Sequence, residues 1–273
     1  MAFPIIGYDN LFDDSGSTIT DPGTASGFAI GDIKDHRAFK VWKSSVTTSP
    51  INIDIDLGVG NSANPDYIAL VNHNLTTLGA TVTVQSDDEA TYTAPNEAQA
   101  AYTPTADAVD FQGFTAIGAD RYWRVVITAP APPHASAPFI GDVLLGVRTT
   151  LTEYMQPGFD PFHKQVEVAS ERSEGGHYLG ATLRGITRRA EIAFGPAGAA
   201  RAGFTSDLNA FIDNHAMKRL PFIFVLDTAD SDFSSPRWLK VPDEAQIGRE
   251  AVGGVWSRLI LRLPVEEALM EVA

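Results

Sequence analysis

A mainly β fold is predicted for this chain, and three observations predict it. Short segments alternate between apolar and polar residues, turn-forming clusters separate them, and only one stretch carries helical spacing. Its 273 residues suffice for two ordinary domains. The reading is a β-sandwich over residues 1–150, then a β-sheet or split-barrel domain over 151–273 with one packed α-helix at 204–219.

The elements follow in order. Asp9 to Thr24 is rich in Asp, Ser, Gly and Thr, which is loop chemistry. Ile51-Asn-Ile-Asp-Ile-Asp-Leu57 alternates strictly, so its apolar residues face inward and Asn52, Asp54 and Asp56 face outward. Tyr67 to Val71 and Ala80 to Gln85 are strands around the turn-like segment 72–79. Asp87 to Asp110, polar and rich in Ala, Thr and Pro, reads as a long insertion loop. Arg121 to Thr128 is a strand, the proline-rich segment 129–138 a connection, and Phe139 to Val147 a further strand.

The second half has a different rhythm. Gln165 to Ala169 alternates as a strand, and Ser170 to His177 is a charged turn. Thr182 to Phe194 resumes strand character, with Arg184, Arg188 and Arg189 expected to face outward. Phe204, Leu208, Phe211, Ile212 and His215 share one face of the helix. Thr205 or Ser206 can cap its start, Lys218 and Arg219 suit its last turn, and Pro221 ends it. Phe222 to Leu226 is an apolar strand, Trp238 to Val241 a short one, and Ser257 to Val265 alternates as the C-terminal strand.

Composition narrows the function. Acidic residues outnumber basic ones by 34 to 20, a net charge of −14 that repels phosphate backbones and disfavours nucleic acid as a partner. The absence of cysteine removes disulfides, thiolate zinc sites and cysteine nucleophiles. Met1 to Asn10 lacks the basic-then-apolar pattern of a secretory leader, and no window approaches ~18 consecutive apolar residues, so no membrane partner is expected.

Catalytic patterns are sparse. No Gly-x-Ser-x-Gly elbow and no phosphate-binding glycine loop is present. The six histidines at 36, 73, 134, 163, 177 and 215 include no pair spaced three to five apart, so no zinc half-site exists. His73, between Asn72 and Asn74 at a strand end, reads as a buried turn histidine. Asp54 and Asp56 point the same way from one strand and could serve glycoside hydrolysis or calcium, but the strand's own period favours an exposed polar face. Asp13, Asp14 and Asp21 are a second acidic group of loop character. Neither catalytic residues, metal nor cofactor is expected.

Two surfaces are candidates for binding. Trp42, Tyr122, Trp123, Trp238 and Trp256 could stack on sugars or fill the core; Trp42 and Tyr92 are the carbohydrate-binding candidates. Arg184, Arg188 and Arg189 concentrate positive charge in an acidic chain and are candidates for a subunit interface with an acidic neighbour.

The N-terminal run carries a resemblance. Asn10-Leu-Phe-Asp13, Ala38-Phe-Lys-Val-Trp-Lys-Ser44, Ile53-Asp-Ile-Asp-Leu-Gly58 and Asp66-Tyr-Ile-Ala-Leu-Val-Asn-His-Asn-Leu75 resemble the discoidin-type, galactose-binding-like jelly-roll sandwich found in many phage tail proteins. Ile140-Gly-Asp-Val-Leu-Leu-Gly146, Ser173-Glu-Gly-Gly-His-Tyr-Leu-Gly180, Arg188-Arg-Ala-Glu-Ile-Ala-Phe194, Phe211-Ile-Asp-Asn-His215 and Leu220-Pro-Phe-Ile-Phe-Val-Leu226 are similar to siphophage tail proteins of the distal-tail type. The resemblance implies a structural protein of the tail tip of a long-tailed bacteriophage. It would be made in the host cytoplasm and form a ring, a hexamer in that family, that joins the tail tube protein to the baseplate hub protein. The domain order departs from that family, whose ring-forming domain comes first. The alternative is a carbohydrate-binding module for host-surface glycans.

Overall fold

The computed structural model describes residues 4–151, 163–194, 201–227, 235–251 and 259–268. The chain splits into two compact units, Ile6–Thr149 and Met1–Ile5 with Thr150–Ala273. The strands of the first half are β1 (Ile5–Gly7), β2 (Thr18–Thr20), β3 (Trp42–Lys43), β4 (Ile51–Asp56), β5 (Tyr67–His73), β6 (Thr81–Asp87), β7 (Asn96–Tyr102), β8 (Val109–Gly113), β9 (Tyr122–Thr128), β10 (Phe139–Gly146) and β11 (Thr149–Thr150). The second half contributes β12 (His163–Arg172), β13 (Tyr178–Phe194), helix α1 (Arg201–Asn214), β14 (Phe222–Val225), β15 (Arg237–Lys240), β16 (Gly248–Ala251) and β17 (Leu259–Glu267).

The N-terminal unit is a β-sandwich. One sheet has the order β3-β10-β5-β8 and the other β2-β4-β9-β6-β7. The alternation of β4 works as its period requires: Ile51, Ile53 and Ile55 are buried, and the residues between them are half-buried on the outer face. They pack with Val82 and Val84 of β6, Trp123, Val125 and Ile127 of β9, and Ile68, Leu70, Val143 and Leu145 of the facing sheet. Strand β5 is buried at every position but Asn72, so both of its faces are covered. This is why it reads as a continuous apolar run rather than an alternating one.

The segment before β3 supplies part of that cover. Two short 3-10 turns, Leu11–Asp13 and Ile30–Lys34, pack against β10 and bury Leu11, Phe12 and Ile33. A glycine makes the approach possible. A Cβ on Gly141 would lie 2.4 Å from the Ala38 carbonyl oxygen, which also accepts a hydrogen bond from the Asn72 side chain at 2.6 Å. The stretch expected as an insertion loop, 87–110, instead contains β7 and the start of β8. Strand β7 pairs only with β6 and is largely exposed, so its Ala and Gln residues lack the apolar alternation that marks a buried strand.

The C-terminal unit contains the sheet run β14-β15-β17-β13-β12, with β16 beside β17. Among the described residues it is an open sheet rather than a split barrel. Helix α1 ends at Asn214, ahead of the expected 219; a 3-10 turn at Ala216–Lys218 follows, and Arg219 takes a left-handed φ of 61°. Leu208, Phe211, Ile212 and His215 are buried, the face that helical spacing predicts. Phe211 meets Phe222 of β14 edge-on at 4.8 Å between ring centroids, and His215 Nε2 lies 2.5 Å from the Pro221 carbonyl oxygen. Replacing Phe211 by Ala should cost about 3–5 kcal/mol of stability in denaturant unfolding of the full chain. A loss under about 1 kcal/mol would contradict this packing.

Candidate functional site

The sequence-derived candidates separate into different environments. Trp42 is fully buried in the sandwich core, and its indole Nε1 donates to Asp21 Oδ2 at 2.9 Å and Thr24 Oγ1 at 3.1 Å. It has no face for a sugar. Tyr92 is 8% exposed and adopts a left-handed φ of 48°, with the Arg124 guanidinium 3.7 Å from its ring centroid. Its ring is spent on that cation. Trp123 and Trp238 are also buried, Tyr122 is half-buried under Arg121, and Trp256 lies outside the described residues. The carbohydrate-binding assignment of Trp42 and Tyr92 is therefore corrected: burial, which stabilises large rings most, claims both.

The paired carboxylates are committed as well. Asp54 receives Arg124 through two hydrogen bonds of 2.6 and 2.9 Å, and Asp56 receives Arg121 through two of 2.6 and 2.8 Å. Hydrogen bonding from Arg121 holds the Asp56 carboxyl below the usual carboxylate range, which is the wrong direction for a proton-donating glycosidase acid. Asp13 and Asp21 do not converge on an ion: Asp13 contacts His36, and Asp21 accepts from Trp42 and Thr24. No group of three metal-ligating side chains occurs among the described residues. His73 is buried as expected, and its Nδ1 accepts from the Leu75 amide at 3.1 Å.

Arg188 and Arg189 do not share a face. Consecutive residues of a strand point to opposite sides, so Arg188 and Arg189 diverge. Arg188 is 15% exposed and meets Glu267 at 3.0 Å, a carboxylate shared with Arg237 at 3.1 Å. Arg189 is 58% exposed and meets Glu266 at 3.1 Å. The side chain of Arg184 lies outside the described residues. Of Arg188 and Arg189, only Arg189 is exposed, on a groove of about 710 Å³ that Glu191, Asp243, Glu244 and Glu266 also line, which corrects the expectation that both face outward.

A different surface brings exposed aromatics and cations together. Phe39 is 79% exposed and Phe28 is 38% exposed. Lys43 Nζ sits 5.8 Å from the Phe28 ring centroid. The Ala29 amide donates to Asp32 Oδ2 at 3.0 Å, and Asp32 Oδ1 lies 3.7 Å from Lys40 Nζ. Lys40 also lies 3.6 Å from Asp35 Oδ2, which accepts from Arg37 Nε and Nη2 at 3.0 and 2.7 Å. Residues 28–43 therefore carry a Phe28–Lys43 contact, a set of contacts joining Ala29, Asp32, Lys40, Asp35 and Arg37, and the exposed ring of Phe39.

The strip is anchored from below by a buried charge cluster. His36 Nε2 meets Asp13 Oδ2 at 2.9 Å and its Nδ1 meets Asp142 Oδ2 at 3.2 Å. Asp142 is fully buried on β10, and His36 holds a left-handed φ of 59° to reach it. Burial alone would lower the His36 pKa, but its hydrogen bonds to Asp13 and Asp142 overcome that and push it up to about 10. Burial pushes the Asp142 carboxyl up to about 6, with the His36 contact opposing it. Sequence reading missed this surface because Phe28 and Phe39 follow no strand or helix period, and the acidic partners of His36 lie far away in sequence.

No known protein family matches the sequence, and no curated protein matches it. Solved structures do. A chitosan-binding module of a chitosanase/glucanase from Paenibacillus sp. IK-5 is 24% identical, with a TM-score of 0.39, over 50% of this chain and 98% of that one. The Clostridium perfringens module CpGH89CBM32-6 is 12% identical, with a TM-score of 0.39, over 50% of this chain and 98% of that one. The likeness to SpGH29, at 19% identity and a TM-score of 0.39, covers 52% of this chain and 28% of that protein. The neighbours thus include carbohydrate-binding modules, matched over half of this chain.

Two outcomes test the site description. Trp42→Ala should cost about 3–5 kcal/mol in denaturant unfolding, as removal of a core side chain does; unchanged stability would contradict its burial. His36→Gln should cost about 3 kcal/mol near neutral pH by leaving Asp142 buried without its counter-charge. Because the folded His36 pKa lies above its ordinary 6.5, the stability gained is fully present below 6.5 and lost as pH rises through about 10. The gap between wild-type and His36→Gln unfolding midpoints should close over that window, and a constant gap would contradict the ion cluster.

Proposed function

We propose that this chain is a non-catalytic protein whose N-terminal sandwich binds glycans through the strip at residues 28–43. The observation that carries the reading is that one short segment holds two exposed phenyl rings, Phe28 and Phe39, together with the charged side chains of Arg37, Lys40 and Lys43. A single exposed apolar residue needs no explanation, but aromatic faces beside fixed hydrogen-bond donors fit a sugar ring, which presents C–H faces and hydroxyl edges. The acid and base candidates Asp54 and Asp56 are each held by an arginine, which favours a binding role over hydrolysis.

The second reading is the tail-tip ring drawn from the sequence resemblance, with the tail tube and baseplate hub as neighbours. One observation favours it: among the described residues β12 ends its sheet and is ten residues long, so its outer edge can accept a strand from another copy. The two readings are compatible in one virion protein.

A glycan array probed with the full chain tests the proposal. Specific binding is expected, weakened about fivefold to tenfold by Phe39→Ala and by Phe28→Ala with the melting temperature unchanged. A blank array, or binding indifferent to both substitutions, would overturn it.

A further inference from the structure

We infer that the strip selects anionic glycans over neutral ones. This rests on the glycan-binding reading and narrows it to a class. The argument is a count of donors and acceptors. Between Phe28 and Lys43 there is no Asn, Gln, Ser or Thr, the residues that bind neutral hydroxyls in both directions. Apart from the buried indole of Trp42, every polar side chain in the interval is ionisable: Asp32, Lys34, Asp35, His36, Arg37, Lys40 and Lys43.

The contacts then decide which of these face a ligand. His36 is committed to Asp13 and Asp142, and Lys34 Nζ donates to the Phe12 carbonyl oxygen at 2.8 Å. Asp32 and Asp35 are engaged by Ala29, Arg37 and Lys40. Against those two carboxylates stand three outward cations, Arg37 at 54% exposure, Lys40 at 42%, and Lys43 beside Phe28. Arg37 spends two of its five N–H donors on Asp35, leaving a fork for a second anion. The strip has donors in excess and its acceptors are taken, so its ligand must be rich in acceptors. A carboxylate or phosphate beside a sugar ring meets that demand, with the ring on a phenyl face and the anion on the guanidinium.

The whole chain carries −14, so an anionic polymer is repelled at long range and attracted at short range by the cations of the strip. Screening length decides which wins. At ~0.01 M salt it is about 30 Å and repulsion from the whole surface acts; at ~0.15 M it is about 8 Å and the contacts at the strip dominate. Affinity should therefore rise between these salt concentrations and fall again towards ~1 M, whereas a uniformly basic protein weakens throughout.

The test uses the full chain and immobilised oligosaccharides of three kinds: carboxylate-bearing, phosphate-bearing and neutral. Binding to one or both anionic kinds is expected, and the two anionic arms tell which anion is recognised. Arg37→Gln should weaken it roughly tenfold, while Arg189→Gln, an exposed cation of the other unit, should leave it unchanged. Equal binding to neutral sugars, or an Arg37→Gln chain that binds as well as wild type, would overturn the inference and leave the glycan-binding reading standing. No binding to any arm would overturn both.

Discussion

Asp142 constrains the N-terminal unit more than any other side chain. It is a carboxylate with no exposed surface, placed on a strand whose neighbours are Gly141 and Val143. A charge in that position is expensive unless it is paired. His36 pairs it from 106 residues away in sequence and is itself held by Asp13, so one cluster fixes both 3-10 segments on β10. The loop between the turn at Ile30–Lys34 and β3 is thereby fixed at two points, His36 on Asp142 and Ala38 on Asn72. Arg37, Phe39 and Lys40 flank those points. A surface with little regular structure of its own can hold a ligand only if the ordering entropy has already been met in folding, and this anchoring meets it.

The same logic explains why the obvious candidates are not the site. Large aromatic rings are stabilised by burial, and Trp42 and Trp123 fill the space between the sheets, each with its indole N–H satisfied. The outer face of the five-stranded sheet is closed by pairs. Asp54 lies directly across from Arg124, Asp56 takes Arg121, and Tyr92 covers Arg124 from the loop after β6. Charges matched across strands stabilise the face and leave it little to offer a partner. Among the described residues, the large aromatic rings that stay exposed are Phe28 and Phe39, both in the short interval before β3.

Legibility in the sequence tracked locality. Strands β4 and β9 and the buried face of α1 were readable because a fixed period ties each residue to its own neighbours. Strand β7 was not, since an exposed edge strand gains too little from burial to require alternation. Arg188 and Arg189 could not both face outward on a regular strand, and their separate partners Glu267 and Glu266 follow from that period alone. The His36 cluster and the pairing of Trp42 with Asp21 had no local signal, because each joins residues that meet only through the fold. The strip inherits that opacity, since exposure of Phe39 can be known only after the core has been assigned.

The central claim is that a ligand meets the sandwich at residues 28–43. Backbone amide shifts of the isotope-labelled full chain, followed while an acidic oligosaccharide is titrated in, test it directly. The account requires the largest shifts to fall between Phe28 and Lys43, with neighbours on β10 following. Shifts centred instead on the loops around Val59 and Ile117, or spread evenly over the surface, would contradict it.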